Sequence, residues 1–181
     1  MSDNFFQEVK EELRKGAEIK GHPFHYFTLA TLGVDKYARL RTLALRKVSK
    51  DLKLTFFTDK RSKKIIHIKE NKRVSLLFYH PGKLFQLRVQ GIATINTDQE
   101  QLKKIWNELG VESKKGYTTK EAPGSTLENQ TALEYLKEGD YFSVVEIEPY
   151  RIEYLKLEKP DHLRIRFSKE DKDWNGEFLV P

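Results

Sequence analysis

The stretch "TFFTDKRSKKIIHI", residues 55–68, gathers Arg61, Ser62, Lys63 and Lys64 in four consecutive positions. The β-branched and aromatic run before them predicts a strand ending at Asp59, and the segment after them predicts a helix with Ser62 as its N-cap. Cations at that end of a helix oppose its dipole, because the unpaired N–H groups there already carry about half a positive charge. A solvated charge run would tolerate this, since each exposed cation costs at most about 1 kcal/mol in salt. Arg41 and Arg46 pose the same problem in a segment otherwise made of Leu40, Thr42, Leu43, Ala44, Leu45 and Val48. Apolar residues on both faces predict a mostly buried strand, and a buried arginine needs an anionic partner that this strand does not supply. One phosphate dianion would answer both groups, because a helix N-terminus with a hydroxyl, flanking lysines and a reaching arginine is a favourable anion site. Gln86 in "LFQLRVQG" alternates with Arg88 and Gln90, which marks a polar strand face turned to solvent or to a ligand.

These residues need a scaffold, and 181 residues suffice for one domain, 1–181, with a sizeable core. Aromatics at 12% and hydrophobic residues at 38% exclude a wholly disordered chain. A mean hydropathy of −0.66 and the lack of an apolar run near 18 residues argue against a membrane helix. The opening "MSDNFFQEVKEELRKG" has no signal-like apolar segment, and the chain has no cysteine, which together lead us to expect a cytoplasmic protein. The net charge of +6 suits either a phosphorylated small molecule or nucleic acid.

Phe6, Val9, Leu13 and Ala17 recur at helical spacing and predict an amphipathic helix over about 3–17, packed as an outer lid. Six segments rich in β-branched and aromatic residues follow between residues 25 and 158, so a mainly β fold is expected: a barrel or sandwich of six or seven strands with peripheral helices. "TDQEQLKKIWNELG" predicts a helix with Thr97 and Glu100 as a capping box and Gly110 as its stop. Residues 111–128 lack periodicity and predict a mobile loop, in which Tyr117 and Pro123 could form a lid, and 129–138 predict a short helix. The five histidines show no ligand spacing, so no metal site is expected.

Taken together, "RTLALR", "FFTDKRSKK" and "NKRVSLLFYHPGKLFQLRVQG", followed by "HLRIRF" and "WNGEFLVP", resemble the pyridoxamine 5'-phosphate oxidase family and its FMN-binding split-barrel relatives. The likeness runs without a gap over about residues 37–96 and more loosely over 141–181. It implies a split-barrel homodimer holding FMN at the subunit interface. By that resemblance Arg41, Thr42, Leu43 and Arg46 line the flavin strand, with Arg41 or Arg46 reaching the phosphate, and Phe57 and Thr58 continue the wall. Ser62, Lys63 and Lys64 would hold the phosphate, Lys63 standing where the family usually has arginine. Gln86 would bond the flavin ring and Arg166 would approach it from the C-terminal segment.

The sequence departs from the vitamin B6 oxidases themselves. Their substrate phosphate is gripped by a Tyr, Arg and Ser set on the helix after the Gly91 strand, where this chain offers Lys104, Trp106 and an acid, Glu108. Their terminal Arg-x-His pair, a substrate contact, appears here as His162 and Arg164 with the types exchanged, and Leu155 takes the place of a flavin-side Trp. The expectation is therefore a related FMN oxidoreductase acting by hydride transfer on an unidentified small substrate. The alternatives are a true pyridoxamine or pyridoxine 5'-phosphate oxidase, a flavin- or haem-binding barrel without turnover, and a basic barrel that binds nucleic acid.

Overall fold

A computed structural model describes residues 2–181. Helix α1 (Ser2–Glu18) is followed by β1 (Tyr26–Leu32), β2 (Ala38–Ala44), β3 (Lys47–Val48), β4 (Leu54–Asp59) and α2 (Lys63–Glu70). After these come β5 (Arg73–His80), β6 (Phe85–Ile95), α3 (Gln99–Glu108), α4 (Val111–Lys115), β7 (Phe142–Lys156), β8 (Leu163–Glu170) and β9 (Asp173–Leu179). The strands are antiparallel in the order β2-β1-β5-β6-β7-β4-β3, with β8 on β7 and β9 on β8.

The two ends of that path are one piece of chain. Leu45 N–H bonds His25 O at 2.8 Å, and Arg46 N–H bonds Thr55 O at 2.9 Å, so the segment leaving β2 crosses from β1 to β4 and closes the barrel. The split arises in β7. Its residues 142–147 pair with β4, whereas 151–156 leave that edge and pair with β8. At the changeover Pro149 faces Gly91 and Arg151 faces Gln90, leaving Tyr150 as the extra residue of a bulge, a device that bends and twists a strand. Gly91 is required there, since a Cβ would lie 2.6 Å from Ile147 Cγ2.

The barrel interior is filled by alternating residues such as Phe27, Leu29, Phe56, Leu76, Phe78, Leu87, Ile152 and Tyr154. Helix α1 covers one side through Val9 and Leu13, each fully buried and worth about 1.5–3 kcal/mol. Gly16 lets it approach the Pro23–His25 turn closely, and Tyr154 donates to Glu8 at 2.9 Å.

Five expectations are corrected. The β2 strand is an exposed edge, with Leu40 69% exposed, because its outward face has no cover within the chain. The cap of α3 is Asp98, whose carboxylate accepts from Glu100 and Gln101 N–H, so Thr97 and Glu100 form no capping box. Residues 129–138 contain only a 3₁₀ turn, Gln130–Ala132, because Leu136 N–H bonds Thr118 O and Lys120 N–H bonds Glu134 O, an extended pairing that excludes a helix. The expected loop over 111–128 begins with the short α4. The strand count reaches nine because the segment 38–48 divides into β2 and β3, and the two C-terminal segments form a hairpin.

Candidate functional site

Strand β4 delivers Thr58 to a corner where the following turn places Ser62 and α2 begins. Ser62 occupies the N-cap with extended backbone, yet its hydroxyl makes no capping bond. Instead it lies 3.3 Å from Thr58 Oγ1, which accepts from Lys64 Nζ at 2.9 Å. Whichever hydroxyl donates to the other, one O–H proton of this buried pair is left without an acceptor, beside helix N–H groups that no side chain caps.

Arg41 of β2 is linked to α2 through Thr31 and His67. Its position pairs with the buried Leu29, and its guanidinium donates to Thr31 Oγ1 at 2.6 Å and Leu29 O at 3.4 Å. The Thr31 hydroxyl also hydrogen-bonds His67 Nδ1 at 3.0 Å, in a direction set by the imidazole tautomer. Burial, then the neighbouring Arg39, pushes the Arg41 guanidinium below its ordinary range. Burial, then the Arg41 charge, pushes the Lys64 ammonium down, with Asp59 opposing. Burial followed by Arg41 and Arg39 lowers His67, which favours its neutral form. Among the described residues neither Arg41 nor Lys64 forms an ion pair, an arrangement of half-buried cations that calls for an external anion.

The remaining residues expected at the site fall elsewhere. Lys63 is exposed at the helix start. Arg46 and Phe57 face away from Thr58, the Arg46 guanidinium lying 5.6 Å from the Phe57 ring centre. Phe57 continues into an aromatic cluster with Phe142, Trp106 and Tyr117. A groove of about 500 Å3 opens beside it, lined by Lys60, Asn96, Gln99, Lys103, Trp106 and Phe142. Thr42 is exposed on the outward face and Leu43 packs against the core. Gln86 is half-buried on that outward face, opposite Tyr79 and Leu155. Arg164 pairs with Glu153 at 2.8 Å, Arg166 with Glu177 at 2.8 Å, and His162 donates to Glu158 O at 3.1 Å. Within one chain none of these last four residues bonds to the corner.

Sequence reading missed Thr31 and His67, whose polarity inside apolar runs was the available signal. It also missed a second cluster. Glu12 of α1 is buried, with Lys83 Nζ at 2.8 Å from Oε1, and His22 Nε2 at 3.2 Å and His80 Nε2 at 3.6 Å from Oε2. The three ligand-type atoms lie within 4.8 Å of one another, a spacing compatible with a metal. The imidazole protons argue otherwise. His22 Nδ1 accepts from Phe24 N–H and His80 Nδ1 from Lys83 N–H, so each neutral ring carries its proton on Nε2, facing the carboxylate.

Comparisons place this geometry among known proteins. The sequence model of the family described as Pyridoxamine 5'-phosphate oxidase matches residues 9–156. The fold is similar to that of a pyridoxamine 5'-phosphate oxidase-related, FMN-binding protein from Nostoc punctiforme, with TM-score 0.79 and 21% identity over 97% of this chain and 96% of that one. It is equally similar to PhzG from Burkholderia lata, solved with tetrahydrophenazine-1-carboxylic acid, with TM-score 0.79 and 20% identity over 97% and 92% of the two chains. A haem-binding protein from Mycobacterium smegmatis matches with TM-score 0.53 and 15% identity over 86% and 57%. No curated protein matches. At these identities the structural likenesses show the split-barrel fold.

Proposed function

This chain belongs to the pyridoxamine 5'-phosphate oxidase family, and we propose that it binds FMN, with the phosphate at the Arg41–Thr58–Ser62–Lys64 corner, and serves as an oxidoreductase. One observation carries the reading: two half-buried cations without a carboxylate partner stand beside an uncapped helix N-terminus and a spare hydroxyl proton. That donor set suits a phosphate dianion. FMN held there would supply a hydride-accepting ring.

The chain's own residues do the holding. Arg41 and Lys64 neutralise the phosphate and Ser62 donates to it. The free edge of β2 leaves backbone N–H and C=O groups for the polar rim of a planar ring. The exposed Tyr26, Leu40, Leu77 and Tyr79 share the outward face of β1, β2 and β5, and patches of this kind mark interfaces. A second copy seated on that face would form the homodimer, and is the route by which Gln86 and Arg166 would meet a flavin held at the corner.

The substrate is a small molecule other than a vitamin B6 phosphate. Lys104 and Glu108 of α3 are both exposed, and the acid at 108 would repel a phosphate. The aromatic cluster and the groove beside it are suited instead to a planar, uncharged or carboxylated compound, with Arg46 at its margin. Described residues include no helix long and apolar enough to cross a membrane.

Titration of the purified protein with FMN, followed by flavin fluorescence and absorbance, tests the reading. Saturable binding with the flavin bands is expected, and pyridoxamine 5'-phosphate is expected to be turned over slowly or not at all. Colourless protein without FMN affinity, or a haem spectrum in its place, would overturn it.

A further inference from the structure

Arg39, Arg41 and Arg61 are held by different kinds of partner. Arg39 pairs with Asp35, and Arg61 pairs with Asp59 while donating to the carbonyls of Thr119, Lys120 and Glu121. Both charges are therefore met by an aspartate. Arg41 has no acid, and both of its hydrogen bonds leave Nη1, one to the Thr31 hydroxyl at 2.6 Å and a longer one to Leu29 O at 3.4 Å. Among the described residues its Nε and Nη2 donors bond nothing, so one edge of the fork is open to a ligand.

Thr31 and His67 are both buried, and they hydrogen-bond each other at 3.0 Å. His67 lies three residues after Lys64 in α2, so the two stand on one face of that helix. Through this pair the guanidinium of a β2 residue is tied to the helix whose first turn carries Ser62 and Lys64. Every partner along the chain is uncharged. Hydroxyl and carbonyl are neutral, and burial together with the charges of Arg41, Arg39 and Lys63 favours the neutral imidazole against the opposing Asp35. A carboxylate at position 31 would hold Arg41 but also cancel its charge, whereas a threonine fixes the guanidinium and leaves the charge unspent.

Building on the flavin-phosphate reading above, we propose that Thr31 and His67 are positioning residues, a neutral clamp that orients Arg41 toward the phosphate without neutralising it. They act through Arg41 and not on the ligand. Their effect is therefore felt by FMN and not by riboflavin, which has the same ring and lacks the phosphate.

The test measures FMN and riboflavin affinity by flavin fluorescence quenching in the full chain. Thr31→Val keeps the side-chain shape and removes the hydroxyl, and is expected to weaken FMN by about tenfold, the scale of one lost hydrogen bond to a charged group, with riboflavin unchanged. Thr31→Ser restores the hydroxyl and should stay within about threefold of wild type. On the other element, His67→Leu should weaken FMN by at least about threefold, and His67→Asn, which keeps a hydrogen-bonding atom near the place of Nδ1, should recover most of the loss. That pair does not depend on Thr31→Val folding. In an Arg41→Ala background Thr31→Val should weaken FMN no further, because the group it acts through is gone. The proposal is overturned if Thr31→Val or His67→Leu leaves FMN affinity unchanged or weakens both flavins alike, if the serine and asparagine variants fail to recover, or if Thr31→Val still weakens FMN without Arg41. Should Arg41→Ala itself keep the wild-type preference for FMN over riboflavin, or the wild type show no such preference, the flavin-phosphate reading fails instead.

Discussion

Two of the clusters of positive side chains in this molecule differ in what stands at the centre. Around Glu12, Lys83, Lys15 and two imidazole Nε2 atoms converge on one buried carboxylate. Near Ser62, Lys64 rests on the Thr58 hydroxyl and Arg41 on the Thr31 hydroxyl, beside an uncapped helix start, and neither forms an ion pair among the described residues. The first cluster holds its own counter-charge and joins α1 to the barrel, although Glu12 Oε2 makes no hydrogen bond. The second has no carboxylate paired with its cations among the described residues. The same residue types can therefore be structural or ligand-binding, and the position of the nearest carboxylate decides which.

The comparison breaks first if the cations at the second cluster are dispensable. Arg41→Ala/Lys64→Ala is expected to weaken FMN by at least about 100-fold with an unchanged circular dichroism spectrum, since two charge-assisted contacts are lost. At the first cluster the effect should fall on stability instead. Glu12→Gln should cost about 2 kcal/mol in urea unfolding, the scale of lost hydrogen bonds to a charged group, while FMN affinity holds.

Acid titration sharpens the contrast. Burial pushes the Glu12 carboxyl up, but the Lys83 hydrogen bond and the charges of Lys83, His22 and Lys15 outweigh it and hold the group below 4.5. Burial holds His22 below 6.5. Both groups then contribute stability that is present above those ordinary values and lost as the pH falls through the lower folded ones. The urea midpoint should decline from about pH 6.5 downward, and Glu12→Gln should remove the part of the decline below about 4.5. The smallest effect belongs to Lys63→Ala, which should change FMN affinity by less than about threefold because an exposed cation is screened by salt.

How far each region was legible follows from chain distance. Thr58, Ser62 and Lys64 lie within seven residues, so their chemistry stands in one short string, and the strand periodicity around them marked the barrel. Arg61 was grouped with the other cations because its loop carbonyl partners lie 58–60 residues away. Thr31 and His67 are 36 apart, and Glu12 and Lys83 are 71 apart, separations that no local pattern reports. The β2 strand read as buried because Leu40 gives its outward face an apolar residue that nothing in the chain covers. The capping residue of α3 was misplaced by one position, where Thr97 and Asp98 are both good caps and only backbone geometry chooses between them.

The most direct test of the account is a crystal structure of the chain with FMN bound. The phosphate should lie within hydrogen-bonding distance of Ser62 Oγ, Lys64 Nζ and the Arg41 guanidinium, at the start of α2. A phosphate seated elsewhere, with those three groups facing only solvent, would contradict it.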